Sequence, residues 1–256
     1  VLSVGTSGWQ YRHWRSRFYP RDVASTRWLE YYAARFATVE INNTFYRLPS
    51  RQTFAEWYRR LPADFVAVIK ASNYLTHYRR LREPQEPVER LLSHAAPLAE
   101  RLGAVLLQLP PDMKSAPERL DETLAAFNRR AKVAVEPRHE SWWNDEVCSV
   151  LRAHGAALCF ADRGSRPIAP LWRTTDWCYL RFHHGRGSPP SCYGRAALHA
   201  WVGRLVDLYG SEVTGYVFFN NDGNGCALRD AIAFAGLAER AGCDVTRVPA
   251  RADVKI

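Results

Sequence analysis

Short apolar, β-branched runs recur eight times along the chain. Each is followed by polar residues and then by apolar positions three and four apart. The runs are Val1–Ser7, Thr38–Asn42, Phe65–Lys70, Ala104–Gln108, Val133–Glu136, Ala156–Ala161, Cys178–His183 and Gly215–Asn220. Each has the length of a strand buried on both faces of a parallel sheet. The intervening stretches carry helical periodicity. Trp28, Leu29, Tyr32 and Phe36 follow Ser25, which is placed to cap a helix. Phe54, Trp57, Tyr58 and Leu61 form the second stretch, and Val88, Leu91, Leu92, Ala95 and Leu98 the third, with Pro97 set to end it. Leu120, Leu124 and Phe127 lie behind Pro117, a residue suited to a first turn. Val147, Val150 and Leu151 make a shorter stretch. Leu198, Trp201, Val202 and Leu205 make a clear one, and Ala227, Ile232, Ala235 and Leu237 run up to a stop at Gly242. Between the sixth and seventh runs, Arg163–Asp176 is rich in Pro, Arg and Thr and predicts an irregular connection with at most a short helix.

Strands alternating with helices imply right-handed βαβ units. Eight such units in 256 residues predict one (β/α)8 TIM-type barrel domain over residues 1–256. The alternative is an open doubly wound sheet. Its Gly-rich dinucleotide fingerprint is missing after the first run, where Gly5 and Gly8 have the wrong spacing.

The apolar runs stop at residues capable of chemistry. In order, the strand ends offer Ser7, Trp9 and Tyr11; Glu40, Asn42 and Asn43; Lys70; Gln108; Glu136, Arg138 and His139; Asp162; Arg181 and His183; and Asn220 and Asn221. The opposite ends show no such enrichment. In a barrel these ends converge on the face where active sites of this fold lie. The competing reading is a structural ion-pair network of Glu40, Glu136, Lys70, Arg138 and Arg181, since buried charges must pair. The densest cluster is Val135–Trp143, where Glu136 stands beside Arg138 and His139, and Trp142 and Trp143 either stack on a ligand or cover the barrel mouth. Glu40–Pro49 adds Asn42, Asn43, Phe45 and Tyr46. Phe218–Gly225 places free amides and glycines before a helix, a setting that can cradle an anion or form an Asx-rich turn.

Composition narrows the class. Hydrophobic residues make up 47% and charged residues 24%, as in a globular protein. No run of about 18 apolar residues predicts a membrane span, and no leader-like segment opens the chain. Six cysteines without a C-x-x-C pair read as reduced thiols in a cytoplasmic protein. The net charge is +9, and 31 of the 35 basic residues are arginine. That balance favours anionic ligands by steering, although codon bias would give the same arginine excess. Glu40, Glu136, Asp162 and His183 are too few for the carboxylate-rich metal sites of other barrels, so no metal and no cofactor is expected. Neither a nucleophile elbow nor a P-loop is present.

Seven stretches resemble the YecE-like family, domain of unknown function 72. They are Gly5–Tyr11 (GTSGWQY), Glu40–Pro49 (EINNTFYRLP), Lys70–His77 (KASNYLTH), Gln108–Pro111 (QLPP), Glu136–Trp142 (EPRHESW), Tyr179–Gly185 (YLRFHHG) and Phe219–Asp222 (FNND). They span nearly the whole chain. The resemblance implies a TIM-type barrel with its motifs around one cleft, and it implies no established reaction.

The leading expectation is an enzyme, a hydrolase or lyase, acting on a phosphate-bearing or nucleic-acid-derived ligand. Arg138, Arg181 and Lys70 would hold the anion, and Glu40 and Glu136 would divide acid–base work. His183 or His139 would carry a second proton. Trp9, Tyr11, Tyr46 and Trp142 would stack on a base or sugar, and Asn42, Asn43, Gln108, Asn220 and Asn221 would supply hydrogen bonds. The same groups suit a non-catalytic nucleotide or nucleic-acid binding protein. Paired glutamates and nine tryptophans also suggest glycoside hydrolysis.

Overall fold

The computed structural model describes residues 1–255. Eight strands form a closed, all-parallel barrel in sequence order. They are β1 (Leu2–Ser7), β2 (Thr38–Ile41), β3 (Val66–Lys70), β4 (Leu102–Gln108), β5 (Val133–Glu136), β6 (Ala157–Arg163), β7 (Trp177–His184) and β8 (Thr214–Phe219). The seam closes where Leu2 of β1 pairs with Gly215 of β8. Every predicted run is a strand, with ends shifted by at most two residues. Around the barrel lie α1 (Trp28–Ala33), α2 (Asn43–Tyr46), α3 (Arg51–Arg60), α4 (Gln85–Ala95), α5 (Pro117–Phe127), α6 (Asp145–His154), α7 (Arg195–Tyr209) and α8 (Cys226–Arg240).

Local chemistry sets the helix ends. The Ser50 side chain accepts from Thr53 N at 3.1 Å to cap α3, and Asn144 Oδ1 accepts from Val147 N at 3.0 Å to cap α6. Pro117 occupies the first turn of α5. Pro97 ends the regular part of α4, and the chain tightens into a 3-10 turn over Ala96–Arg101. Ser25 differs from expectation. It lies inside a 3-10 turn, Ser25–Arg27, which leads into α1 with no side-chain cap. Residues 164–176 hold no helix, as their Pro and Thr content predicts.

Side-chain alternation divides the core in two. Inside the barrel, Val68, Ala104, Leu106, Ala134, Cys159, Tyr179 and Phe218 pack together above Trp177 and Tyr216. Their outward neighbours, such as Ile69, Val105, Val135, Phe160, Leu180 and Val217, pack under the helices. The inner parity continues toward the strand ends and reaches Glu40, Lys70, Gln108, Glu136 and Arg181, so a polar layer caps the apolar plug.

The cysteine expectation needs correction. Cys148, Cys159, Cys178 and Cys243 are buried free thiols, but Cys192 and Cys226 are joined as a disulfide. Their Cα atoms are 4.8 Å apart, a proximity that a sequence separation of 34 hides. No described helix is long and apolar enough to cross a membrane.

Gly5 lies where β1 meets β2. A Cβ there would stand 2.5 Å from the Thr38 carbonyl oxygen, which is backbone and cannot yield cheaply. Gly5→Ala should lower the unfolding free energy in urea by about 1–3 kcal/mol, the usual cost of overpacking. An unchanged midpoint would show that β1 and β2 separate more easily than this geometry allows.

Candidate functional site

Arg181, on β7, is the centre of the polar layer. It is 1% exposed. One terminal nitrogen donates to Glu136 Oε2 at 2.6 Å and the other to Glu40 Oε1 at 2.7 Å. Glu40, from β2, also accepts from the Tyr179 hydroxyl at 2.7 Å. Glu136, from β5, takes Arg138 at 3.1 Å and His183 Nε2 at 2.8 Å on its other oxygen. Asn220 Nδ2 stands 3.4 Å from His183 Nδ1. Three strands, β2, β5 and β7, and the loops after β5 and β8 therefore contribute to one network. Buried polar atoms remain without hydrogen-bond partners around it: Arg181 Nε, Arg138 Nε and Asn42 Oδ1.

The network fixes charge states. Burial works to raise the Glu40 carboxyl, but the Arg181 guanidinium and the Tyr179 hydrogen bond outweigh it and the net shift is downward. Glu136 is pulled well below the usual carboxylate range in the same way, by Arg181 and His183 against burial. Burial also opposes the charge on Arg181, yet its two carboxylates hold it protonated. His183 shifts down because burial outweighs its bond to Glu136. The neutral ring then donates from Nε2 to Glu136 and carries its lone pair on Nδ1.

The opposite side of the mouth holds Lys70 at the end of β3. Its Nζ donates to Gln108 Oε1 at 2.7 Å and lies 3.9 Å from the centre of the Phe45 ring. His77 packs edge-on against the same ring, 4.9 Å between centres. His77 sits in a π-helical turn, Tyr74–Tyr78, directly beyond β3. Such turns are frequent at functional positions. Tyr46, Tyr74 and Tyr78 are strongly exposed on this part of the rim. Beside the mouth, a cavity of about 540 Å³ is lined by Tyr11, His13, Arg17, Asn220 and Asp222, among others. Asp222 bonds Trp14 Nε1 at 2.7 Å and His13 at 2.8 Å, and burial raises its carboxyl to about 6.

Of the residues expected from sequence, Glu40, Glu136, Arg138, Arg181, His183, Lys70, Gln108 and Asn220 come together here. Asn42 and Tyr11 stand at the edge. Asn43 and Tyr46 are exposed in α2 beyond it. Several expectations need correction. Trp9 and Trp142 are 4% and 0% exposed, and the Trp142 indole donates to Met113 O, so neither offers a face to a ligand. His139 caps a 3-10 turn by accepting from Ser141 N. Asn221 has the outward parity and bonds Ser191 O and Asp230. Asp162 is outward too and bonds Tyr193 and Trp201. Arg181 is committed to two carboxylates rather than free for an anion. The turn before α8 holds the Asp222 carboxylate, which repels one.

Sequence reasoning missed Tyr179 and His77. The signal for Tyr179 was its two-residue spacing from Arg181. His77 lay inside a noted motif but away from any strand end. Among the described residues, no three His, Cys, Asp or Glu side chains are grouped to hold a metal ion.

An eight-stranded parallel barrel defines a TIM-barrel protein, and its ionic layer lies at the C-terminal ends of the strands, where active sites of that fold are found. The family model described as "Protein of unknown function DUF72" matches residues 3–253, and the chain belongs to that family. It is 23% identical to UPF0759 protein YunF of Bacillus subtilis, over 94% of this chain and 98% of that protein. It is 32% identical to UPF0759 protein YecE of Escherichia coli K12 over 45% of this chain and 43% of that protein. A DUF72 family crystal structure from Thermotoga maritima superposes with a TM-score of 0.78 at 29% identity, covering 93% and 99% of the two chains. One from Enterococcus faecalis gives 0.77 at 18% identity, covering 93% and 96%.

Breaking the network from its centre should be costly. Arg181→Met strands two buried carboxylates and should cost about 3–5 kcal/mol in denaturant unfolding. Adding Glu40→Leu and Glu136→Leu to that variant should recover most of the loss. Acid acts in the same direction. The three depressed groups bind protons more readily unfolded than folded. Stability should therefore fall below pH 6.5 as unfolded His183 protonates, and further below pH 4.5 as the glutamates do. A stability curve flat from pH 7 to 4 would contradict these assignments.

Proposed function

We propose that the barrel mouth binds a phosphate-bearing ligand, of nucleotide or nucleic-acid type, and performs hydrolytic or lyase chemistry on it. The observation that carries the reading is a charge imbalance. Arg138, Arg181 and Lys70 face only two carboxylates, Glu40 and Glu136, in one partly water-excluded layer. An anion completes that balance. Arg138 is suited to meet it, because its side chain is 23% exposed and its Nε has no partner. Tyr46 and the tyrosines of the π-helical turn would present rings to a base or sugar at the rim.

Roles follow from charge state. With both glutamates held ionised, the proton carrier is His183, and Glu136 orients it as a carboxylate orients an imidazole in other acid–base pairs. Glu40 positions Arg181 and Tyr179. Glycoside hydrolysis loses support, because it needs one carboxyl protonated. Non-catalytic binding draws support from the same fact, since both carboxylates are already committed to Arg181.

Calorimetric titration with inorganic phosphate, AMP and a short single-stranded oligonucleotide tests the reading. Arg138→Ala should weaken binding roughly 10- to 100-fold, the value of one charged hydrogen bond. Glu136→Gln should leave affinity within a few-fold and abolish turnover. No binding of any of the three in low salt would sink the proposal. Because His183 is shifted down, the acid limb of any turnover should lie below pH 6.5; a limb above it would point to another base.

A further inference from the structure

Lys70 is placed unlike the other cations of the mouth. Arg138 and Arg181 each pair with a carboxylate. Lys70 makes no ion pair, and the one hydrogen bond of its amine goes to a neutral amide, Gln108, among the described residues. The stem is largely buried, and the amine rests on the Phe45 ring. Burial and then the neighbouring Arg181 push the amine down to about 8, against the pull of Glu40 and Glu136. Desolvation and a cationic neighbour are the two routes by which a lysine becomes a nucleophile near neutral pH.

A base packs against the same Phe45 ring. The Thr76 hydroxyl donates to the Ser72 carbonyl at 3.0 Å, so it accepts from His77 Nδ1 at 2.9 Å. That leaves the lone pair on His77 Nε2, which has no partner among the described residues. Burial and the charge of Lys70 keep the ring neutral. Phe45 lies against both Lys70 and His77.

We propose that Lys70 is a covalent site that forms an imine with the carbonyl carbon of a phosphate-bearing aldehyde or ketone. The inference deepens the anionic-ligand reading and rests on it for the phosphate alone. The neutral amine attacks the carbonyl carbon, a C–N bond forms, and the carbonyl π electrons move to oxygen. His77 takes a proton from nitrogen and returns it to that oxygen. The second N–H proton then passes to the carbinolamine hydroxyl, the C–O bond breaks to release water, and the nitrogen electron pair closes C=N. Amine plus carbonyl gives imine plus one water, with no oxidant or reductant. The imine withdraws electrons from the adjacent carbon, which selects the lyase branch of the proposed chemistry.

The test treats the full chain with glyceraldehyde 3-phosphate and sodium cyanoborohydride, which delivers hydride to the imine carbon and fixes the adduct. Peptide mapping locates it. At pH 7.5 an amine near 8 is roughly a quarter neutral, against about 0.1% for an ordinary lysine. Lys70 should therefore be modified at least ~20-fold faster than Lys114, Lys132 or Lys255, with a rate that rises and levels off through pH 8. Lys70→Arg should remove the fast adduct, and Lys114→Arg should keep it. The pH profile of the wild-type chain decides the matter even where Lys70→Arg folds poorly. Modification of Lys70 no faster than the other three lysines overturns the inference. The two proposals fail separately. Equal labelling of Lys70 by unphosphorylated glyceraldehyde, with no competition from inorganic phosphate, keeps the imine site and removes the phosphate. Phosphate binding without a Lys70 adduct does the reverse.

Discussion

One guanidinium group bridges two carboxylates inside a barrel, and the rest of the site follows from it. Arg181, Glu40 and Glu136 are each 1% exposed or less. Charges so removed from water persist only as a mutually satisfied set. The set ties β2, β5 and β7 across the mouth, fixes both glutamates as anions, and leaves His183 neutral against Glu136. It also changes what the arginines mean. A basic residue at a strand end is not by itself an anion receptor, because its charge can already be spent on the protein. Arg138 stays partly open to solvent and Lys70 holds only a neutral amide, while Arg181 supports the layer from beneath.

Much of this was legible in the sequence because a strand has a period of two. Apolar runs located all eight strands, and the residues that ended them on the inner parity, Glu40, Lys70, Gln108, Glu136 and Arg181, do meet. The misplacements came from ignoring that parity. Asp162 and Asn221 stand one position away from inward-facing neighbours, so they serve the packing of helices instead of the mouth. Trp9 and Trp142 were read as ligand platforms from their type, but a tryptophan next to a barrel rim is as readily drawn into the core by its own apolar area. The disulfide could not be inferred, since proximity across 34 residues depends on how β7, α7 and β8 pack. His77 was hidden because a π-helical turn has no simple periodic signature.

The two sides of the rim are built differently. Beyond β2 and β3, short helical turns carry exposed tyrosines and the lysine–phenylalanine–histidine cluster. Beyond β7 and β8, the loops are buttressed by Asp222 on Trp14 and by Asp230 on Tyr193 N and Asn221. The mouth thus has long, exposed side chains on one side and a braced wall on the other.

That wall has a covalent fastening, Cys192 to Cys226, which encloses all of α7 and β8. Closing a loop of this length removes about 4 kcal/mol worth of chain freedom from the unfolded state. Its topological effect is more particular. The strand that seals the barrel against β1 belongs to a ring, so a backbone cut anywhere between the two sulfurs leaves one connected molecule, and the final stave stays attached to the cask.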